Sequence, residues 1–348
     1  MSFARFLSTF LAIFWGGGIA IPAQQPAPTP QSIHIDVVVD TKSNQPVTSL
    51  DEKNFAVLDN KTPRPITHFN IAGAASEPVS VIVLIDAVNT PYQTVAYARE
   101  GIEKFFKTNE GQLASPTSLA VLTDQGVQFD SNFSKDGNAL SDALEHRQIG
   151  LREINRSSEW GGQERFQICM NALGQLMAFA APIPGRKIVL WISPGWPIIS
   201  GPRVNLDGRE QNQIFNNIIN VSTQLRKMNL TLYNINPVGV TESLQRADYY
   251  ESFLKGVSKA GQVQIGNLAL QVLALQSGGL ALESNSDVTG MMLQCLQDAK
   301  SWYSITFDPL PGDKPDEYHH IEVKVDQPGM VVRTRDGYYA NPVALPTK

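Results

Sequence analysis

The sequence predicts an α/β protein: a doubly wound, mostly parallel sheet with helices on both faces, inserted in a small β module formed by the N- and C-terminal strands. Three observations carry this. Long apolar runs alternate with amphipathic segments through the middle of the chain, and short alternating strands lie on either side of that zone. The composition, 42% hydrophobic and 18% charged residues, is that of a packed globule rather than a disordered chain.

Residues 33–70 hold three short strand-like runs, His34–Val39, Asn54–Leu58 and Pro65–Phe69, separated by turn-rich segments at Thr41–Asn44 and Asp59-Asn60. Strands of this size bury too little to stand alone, so they need a partner. In the middle zone, Val79–Ile85 is a continuous apolar run ending at Asp86. Hydrophobicity without alternation belongs to a parallel strand covered on both faces. Leu119–Leu122, Lys187–Ile192 and Leu230–Ile235 repeat the pattern. Between these runs lie apolar stripes at helical spacing: Val95, Ala98, Ile102 and Phe105, then Phe166, Cys169, Leu173 and Leu176. The clearest stripe is Ile214, Ile218, Val221, Leu225 and Met228, which puts five side chains on one face. Strands alternating with such helices build crossover units on a parallel sheet. Pro197–Gly208 and Pro237–Gly266 read as variable loops.

The chain then returns to strands at Trp302–Phe307, His320–Val325 and Val331–Arg333, with turns at Pro311-Gly312 and Pro328-Gly329. These are expected to pack with the first strands, with Trp302 inside that module. The organisation read from this is a signal peptide (1–23), a Pro/Gln-rich spacer (24–31), two halves of the β module (32–77 and 301–343) and the α/β domain (78–300).

Arg5 precedes an apolar stretch from Phe6 to Ile21, and Ala23 supplies a small residue for cleavage. The stretch is short for a membrane span, and nothing after residue 31 resembles one. A secreted or periplasmic product beginning close to Gln24, without a mature transmembrane segment, is expected. Cys169 and Cys295 both sit on apolar helical faces, where one bridge or two separate thiols fit equally well.

The formal net charge of −5, from 28 basic and 33 acidic residues, argues against nonspecific nucleic-acid binding. No glycine-rich phosphate loop follows a strand, so a nucleotide is not expected either. Ser193-Pro194-Gly195-Trp196 does not match the nucleophile elbow of hydrolases. The histidines are scattered, and His319-His320 reads as a solvated turn before a strand. Asp298 and Glu283 read as isolated carboxylates. No catalytic residue is assigned, and a non-enzymatic role is expected.

The order of elements around Asp86 resembles a von Willebrand factor A domain, and more narrowly the VWFA-related proteins common in acidobacteria. Phe55–Pro63 with Ile66 and Phe69 is similar to the strand-turn-strand segment that precedes the domain in those proteins. Ser277-Gly278-Gly279 is similar to the glycine turn into their last sheet strand, and Tyr303–Pro309 and Arg333–Tyr338 to their two terminal β segments. The resemblance implies a six-stranded, mostly parallel sheet and a metal-ion-dependent adhesion site at its C-terminal edge. Where that site carries D-x-S-x-S, this chain has Asp86, Val88 and Thr90. Where it carries Gly-Gly-Thr, the chain reads Gly161-Gly162-Gln163, and for Thr-Asp-Gly it reads Ser193-Pro194-Gly195.

Val88 and Pro194 offer no side-chain oxygen, and Mg²⁺ favours an octahedral set of oxygens. The resemblance therefore implies a degenerate site, with Asp86, Thr90, Gln163 and Ser193 as the remaining metal candidates and either no cofactor or weakly held Mg²⁺ or Mn²⁺. It further implies a protein ligand at the loop crest, engaged by Asp86, Trp160, Glu164 and Trp196. The aromatic candidates fit because a rigid ring buries area at low entropic cost. The competing expectation for both rings is that they cover the sheet. Two other functions stay open: a metal-dependent adhesion protein with a non-standard ligand set, and an exported hydrolase of another type.

Overall fold

A computed structural model of the chain describes residues 32–147, 159–197, 206–239, 250–283 and 285–340. The expected signal peptide and spacer lie outside the described residues, as do most of the loop at 197–208 and residues 240–249 of the second loop. Within residues 250–268 the chain forms three short 3-10 turns.

The two ends of the chain build a β-sandwich. Strands β1 (Ile33–Thr41), β4 (Ile66–Ala72), β12 (Trp302–Phe307) and β14 (Met330–Arg333) form one antiparallel sheet in the order β14-β1-β12-β4. Strands β2 (Phe55–Asp59), β3 (Thr62–Arg64), β13 (Glu317–Val325) and β15 (Gly337–Ala340) form the other, in the order β15-β13-β2-β3. Each sheet thus pairs N-terminal with C-terminal strands, as the patterning required. Their inner faces share a core that includes Ile35, Val37, Phe55, Val57, Tyr303 and Ile305.

Alternation along β1 and β12 sends successive side chains to opposite faces. Val37 and Tyr303 enter the sandwich core, whereas Val38 and Trp302 enter the core of the inserted domain. This corrects the placement of Trp302, whose ring leaves the β module. The β14-β1-β12-β4 sheet is consequently covered on both faces and serves as the base on which the α/β domain rests.

That domain is built on strands β5 (Val79–Asp86), β6 (Gln112–Thr123), β7 (Gly126–Phe129), β8 (Ser134–Asp136), β9 (Arg186–Ile192), β10 (Leu230–Ile235) and β11 (Ala281–Leu282). They lie in the order β11-β10-β9-β5-β6-β7, with β8 also paired to β6. The sheet has seven strands, not six. The additional strand is the short β8, which follows a shift in register along β6 and is too brief to leave a periodic signal. All pairings from β11 to β6 are parallel, and β7 and β8 join antiparallel.

Helices α1 (Tyr92–Phe106) and α6 (Val288–Cys295) cover one face, joined by α2 (Gly137–His146). Helices α3 (Glu159–Ala180), α4 (Gly208–Lys227) and α5 (Leu270–Gln276) cover the other. Cys169 packs into the α3 side and Cys295 into the α6 side, so the two thiols are free, buried and separated by the sheet. After α5, Gly279 passes so close to β10 that a Cβ there would lie 1.9 Å from the Leu232 carbonyl oxygen. Only glycine fits that approach.

Two further sequence expectations are corrected. His319 lies inside β13, 2% exposed, with Nδ1 2.8 Å from Asp59 Oδ1. The Tyr338 hydroxyl donates to Asp59 Oδ2 at 2.6 Å. His319 and His320 do point to opposite faces, but only His320 is exposed. Asp298 is not isolated: its carboxylate receives two hydrogen bonds from Arg333, at 2.6 and 2.7 Å, and one from the Tyr233 hydroxyl at 2.6 Å.

Candidate functional site

The C-terminal ends of β5 and β9 meet at the centre of the sheet. From β5 the chain winds outward to β6 on one side, and from β9 it winds outward to β10 on the other. Such a reversal leaves a crevice beyond the strand ends, the usual ligand position in open α/β sheets. Asp86 is the last residue of β5 and Ser193 follows the last residue of β9, in a register that aligns Ile85 with Ile192. Topology therefore brings these two candidates together from positions 107 residues apart.

Asp86 is fully buried, and donors converge on it from the surrounding loops. Its Oδ1 accepts from the Val88 and Asn89 backbone amides at 3.0 and 2.9 Å. Its Oδ2 accepts from the Asn89 side-chain amide and from the Ser193 hydroxyl, both at 2.8 Å. Burial pushes the Asp86 carboxyl above its ordinary range, although bonds from Asn89 and Ser193 oppose that shift. Ser193 Oγ in turn accepts from the Gly195 amide at 3.1 Å, and Asn234 Nδ2 donates to the Ser193 carbonyl at 2.8 Å. Gly195 holds φ +100°, and a Cβ there would lie 2.4 Å from Gln271 Nε2. That amide is engaged at 3.1 Å by Glu283, whose carboxyl is raised by burial. Glu283 is therefore partnered, contrary to its reading as isolated.

Asn89 is the residue sequence reasoning missed. Its side-chain amide bonds Asp86 and also lies 3.1 Å from Cys169 Sγ, tying the β5 loop to α3. The spacing of a metal-binding motif directs attention to positions 86, 88 and 90 and passes over 89. An Asn three residues after a strand-end Asp is itself a common turn signal. Burial, and then the nearby Asp86 charge, raise the Cys169 thiol well above its ordinary range, which keeps it protonated and unreactive.

The other candidates separate. Thr90 is buried near the end of the same loop. Gln163 and Glu164 are exposed on the first turns of α3, so the expected second loop is helix instead. The Trp160 side chain lies outside the described residues. Trp196 is 2% exposed and packs edge-on against Trp191, with ring centroids 5.3 Å apart. It covers the sheet crest and cannot anchor a partner. Asp86, fully buried, cannot touch one directly either.

The donor set also bears on a cation. N–H and O–H hydrogens, not lone pairs, face the Asp86 carboxylate, and a cation placed there would meet them head-on. The residues present do not fit the octahedral oxygen cup of such a site. Among the described residues no group of three His, Cys, Asp or Glu side chains is placed to hold a metal.

Counting the inserted domain's main strands in chain order and setting aside the accessory β8, their spatial order is 3-2-1-4-5-6, with one antiparallel edge and Asp86 at the switch point. The fold is von Willebrand factor A-like. No family model matches the sequence, and no curated protein matches it. Among solved structures, the chain is similar to the human COPII-coat protein Sec24c, at 8% identity and a TM-score of 0.33, over 76% of this chain and 44% of that one. It thus spans less than half the length of that protein. It is also similar to the VWA domain of SpRpn10, at 13% identity and a TM-score of 0.27, over 62% of this chain and 95% of that one. The strand order, rather than these distant likenesses, carries the assignment of a von Willebrand factor A-like fold. No helix among the described residues is long and apolar enough to cross a membrane.

Proposed function

We propose that the chain is an exported, non-enzymatic protein-binding or scaffolding module whose adhesion site has become an internal fastener. The observation that carries this reading is the Asp86 knot: both carboxylate oxygens are consumed by donors of the chain's own loops. A crest stiffened in this way presents its outer residues without needing a metal bridge to the partner.

The residue best placed to make contact is Tyr92, 70% exposed and first in α1, directly beyond the Asp86 loop. An exposed tyrosine supplies an apolar ring and a polar tip, the combination that dominates protein interfaces. It takes over the anchoring role that Trp196, being buried, does not fill. A photo-crosslinking amino acid at Tyr92, or at Gln125, exposed in the turn between β6 and β7, is expected to trap one partner of the same mass in the native host. The same group at Val331, exposed on β14, is expected to trap none. Equal labelling at all three positions, or labelling at Val331 alone, rejects the crest as the interface.

Export is supported by Arg5, the apolar Phe6–Ile21 run and Ala23. N-terminal sequencing of the protein from the exported fraction is expected to begin close to Gln24. A product that retains Met1 and is extracted only with membranes contradicts this part of the reading.

A further inference from the structure

Helix α4 has two working faces. Ile218, Val221 and Leu225 are buried against the central sheet. On another side, Asn216, Asn220, Thr223 and Arg226 line a half-open cleft of about 410 Å³. The opposite wall comes from the β-sandwich: Ile33 at the start of β1, Pro309–Pro311 after β12, and Tyr338–Ala340 in β15. The cleft therefore lies between the two halves of the molecule, on elements that both cores hold rigid.

Its polar groups are unspent. Among the described residues, the Arg226 guanidinium has neither a hydrogen bond nor an ion pair, and the side chains of Asn216, Asn220 and Thr223 make no hydrogen bond. The hydroxyls of Tyr338 and Tyr339, by contrast, are committed elsewhere, to Asp59 at 2.6 Å and to the Val257 carbonyl at 3.1 Å.

The charge balance is one-sided. Burial pulls the half-buried Arg226 guanidinium below its ordinary range, opposed only in part by Tyr338. Behind it, Arg335 is fully buried and bonded to the Leu225 and Leu230 carbonyls, and its charge repels that of Arg226. Lys227 stands at the rim. Among the described residues Asp316 is the one carboxylate on the lining, and it makes no ion pair with Arg226.

An unpaired guanidinium beside amide and hydroxyl groups is built for a planar oxyanion, which it grips through two parallel N–H bonds. The apolar lining of Ile33, Ile219 and Leu310 suits a hydrophobic body attached to that anion. We infer that this cleft is a binding site for a small organic monocarboxylate with an apolar or aromatic body, its carboxylate on Arg226 and its body against Ile219 and Leu310. The site is separate from the crest, and the inference does not rest on the crest's proposed role.

The test uses the full chain and N-acetyl-L-phenylalanine, with N-acetyl-L-phenylalaninamide as the uncharged control, in isothermal titration. Saturable binding with a Kd below about 1 mM is expected for the acid, and at least about tenfold weaker binding for the amide. Arg226→Gln is expected to weaken the acid about tenfold or more, and Arg226→Lys to restore part of the loss. Because the Arg226 side chain makes no internal bond and is repelled by Arg335, Arg226→Gln should not lower Tm. Asn220→Leu provides a second, charge-neutral variant and is expected to weaken the acid severalfold. Absence of saturation up to about 10 mM acid overturns the assignment. So does equal affinity for acid and amide, or unchanged affinity in both Arg226→Gln and Asn220→Leu.

Discussion

Replacing Asp298 with Ala is expected to destabilise the protein by about 3–5 kcal/mol, the usual cost of stranding one member of a buried ion pair. Asp298 is 2% exposed where the β-sandwich meets the inserted domain. Arg333 of β14 grips its carboxylate through both terminal nitrogens and reaches Asp40 of β1 at 3.0 Å. Tyr233 of β10 donates to the same carboxylate. Arg186, the first residue of β9, donates to the Asp298 carbonyl at 2.8 Å, makes an ion-pair contact with Asp36 at 3.3 Å and lies 4.7 Å from the centre of the Trp302 ring.

The groups hold one another in their expected charge states. Burial opposes the charge on Arg333, but the bonds and charge of Asp298, with Tyr233 and Asp40, together outweigh it and the guanidinium is held above its ordinary range. Burial likewise opposes ionisation of Asp36, yet His34 and Arg186 together hold its carboxyl below the ordinary range. Burial and then the Asp298 charge keep Tyr233 protonated. Asp298→Ala leaves Arg333 with Asp40 alone and the Tyr233 hydroxyl without an acceptor.

Urea unfolding of Asp298→Ala, Arg333→Met and the double variant measures the coupling. The double variant is expected to lose clearly less than the two single losses combined, because each single change strands what the other removes. Hydrogen exchange in Asp298→Ala should accelerate in β1 and β12 as well as at β10, since the cluster joins both bodies. A loss below about 1 kcal/mol would mean that the cluster is solvated in practice and does not join them.

The fold was legible because its signals are periodic. The unbroken apolar runs of β5, β9 and β10 and the stripe on α4 mark elements covered by others, and no partner need be known to read them. The ion network was not legible. Asp36, Asp40, Arg186, Asp298 and Arg333 are dispersed along the chain and meet only because β1 and β14 pair beside β9. Taken singly, each is a charged residue near a strand end. The candidate site was half legible for a similar reason. Parallel register predicts that Asp86 and Ser193 meet, but whether a carboxylate faces donor hydrogens or open space depends on loop conformation. Trp196 shows the same limit: a tryptophan beside a strand end reads alike whether it folds inward onto Trp191 or outward to solvent.

The Asp86 knot makes a prediction that separates a fastener from a metal ligand, because the two roles respond differently to Asn and to Ala. Asp86→Ala strands the Val88 and Asn89 amides, the Asn89 side chain and the Ser193 hydroxyl in a buried space. The expected loss is about 2–4 kcal/mol, since each stranded donor costs about 1–3 kcal/mol and removal of a buried charge offsets part of the total. Asp86→Asn keeps an oxygen for the two backbone amides. Its new NH₂ group can be accepted by Ser193 Oγ and, after a flip of the side chain, by Asn89 Oδ1, which has no partner in the folded protein. The expected change is within about 1 kcal/mol of wild type. The pH dependence follows from the raised Asp86 carboxyl. The folded state holds this proton more tightly than the unfolded state, so the contribution is full below the unfolded pKa and is lost as pH rises through the folded one. Asp36, held below its ordinary range, contributes with the opposite sign. The difference between wild type and Asp86→Asn isolates Asp86, and it should shift in favour of the variant as pH rises and then level off. Mg²⁺ at about 10 mM is expected to leave the stability of both proteins unchanged, whereas a metal held with a Kd of about 100 μM would add about 2.7 kcal/mol to wild type alone. Such a gain, or an Asp86→Asn variant as unstable as Asp86→Ala, would overturn the fastener and restore the adhesion site.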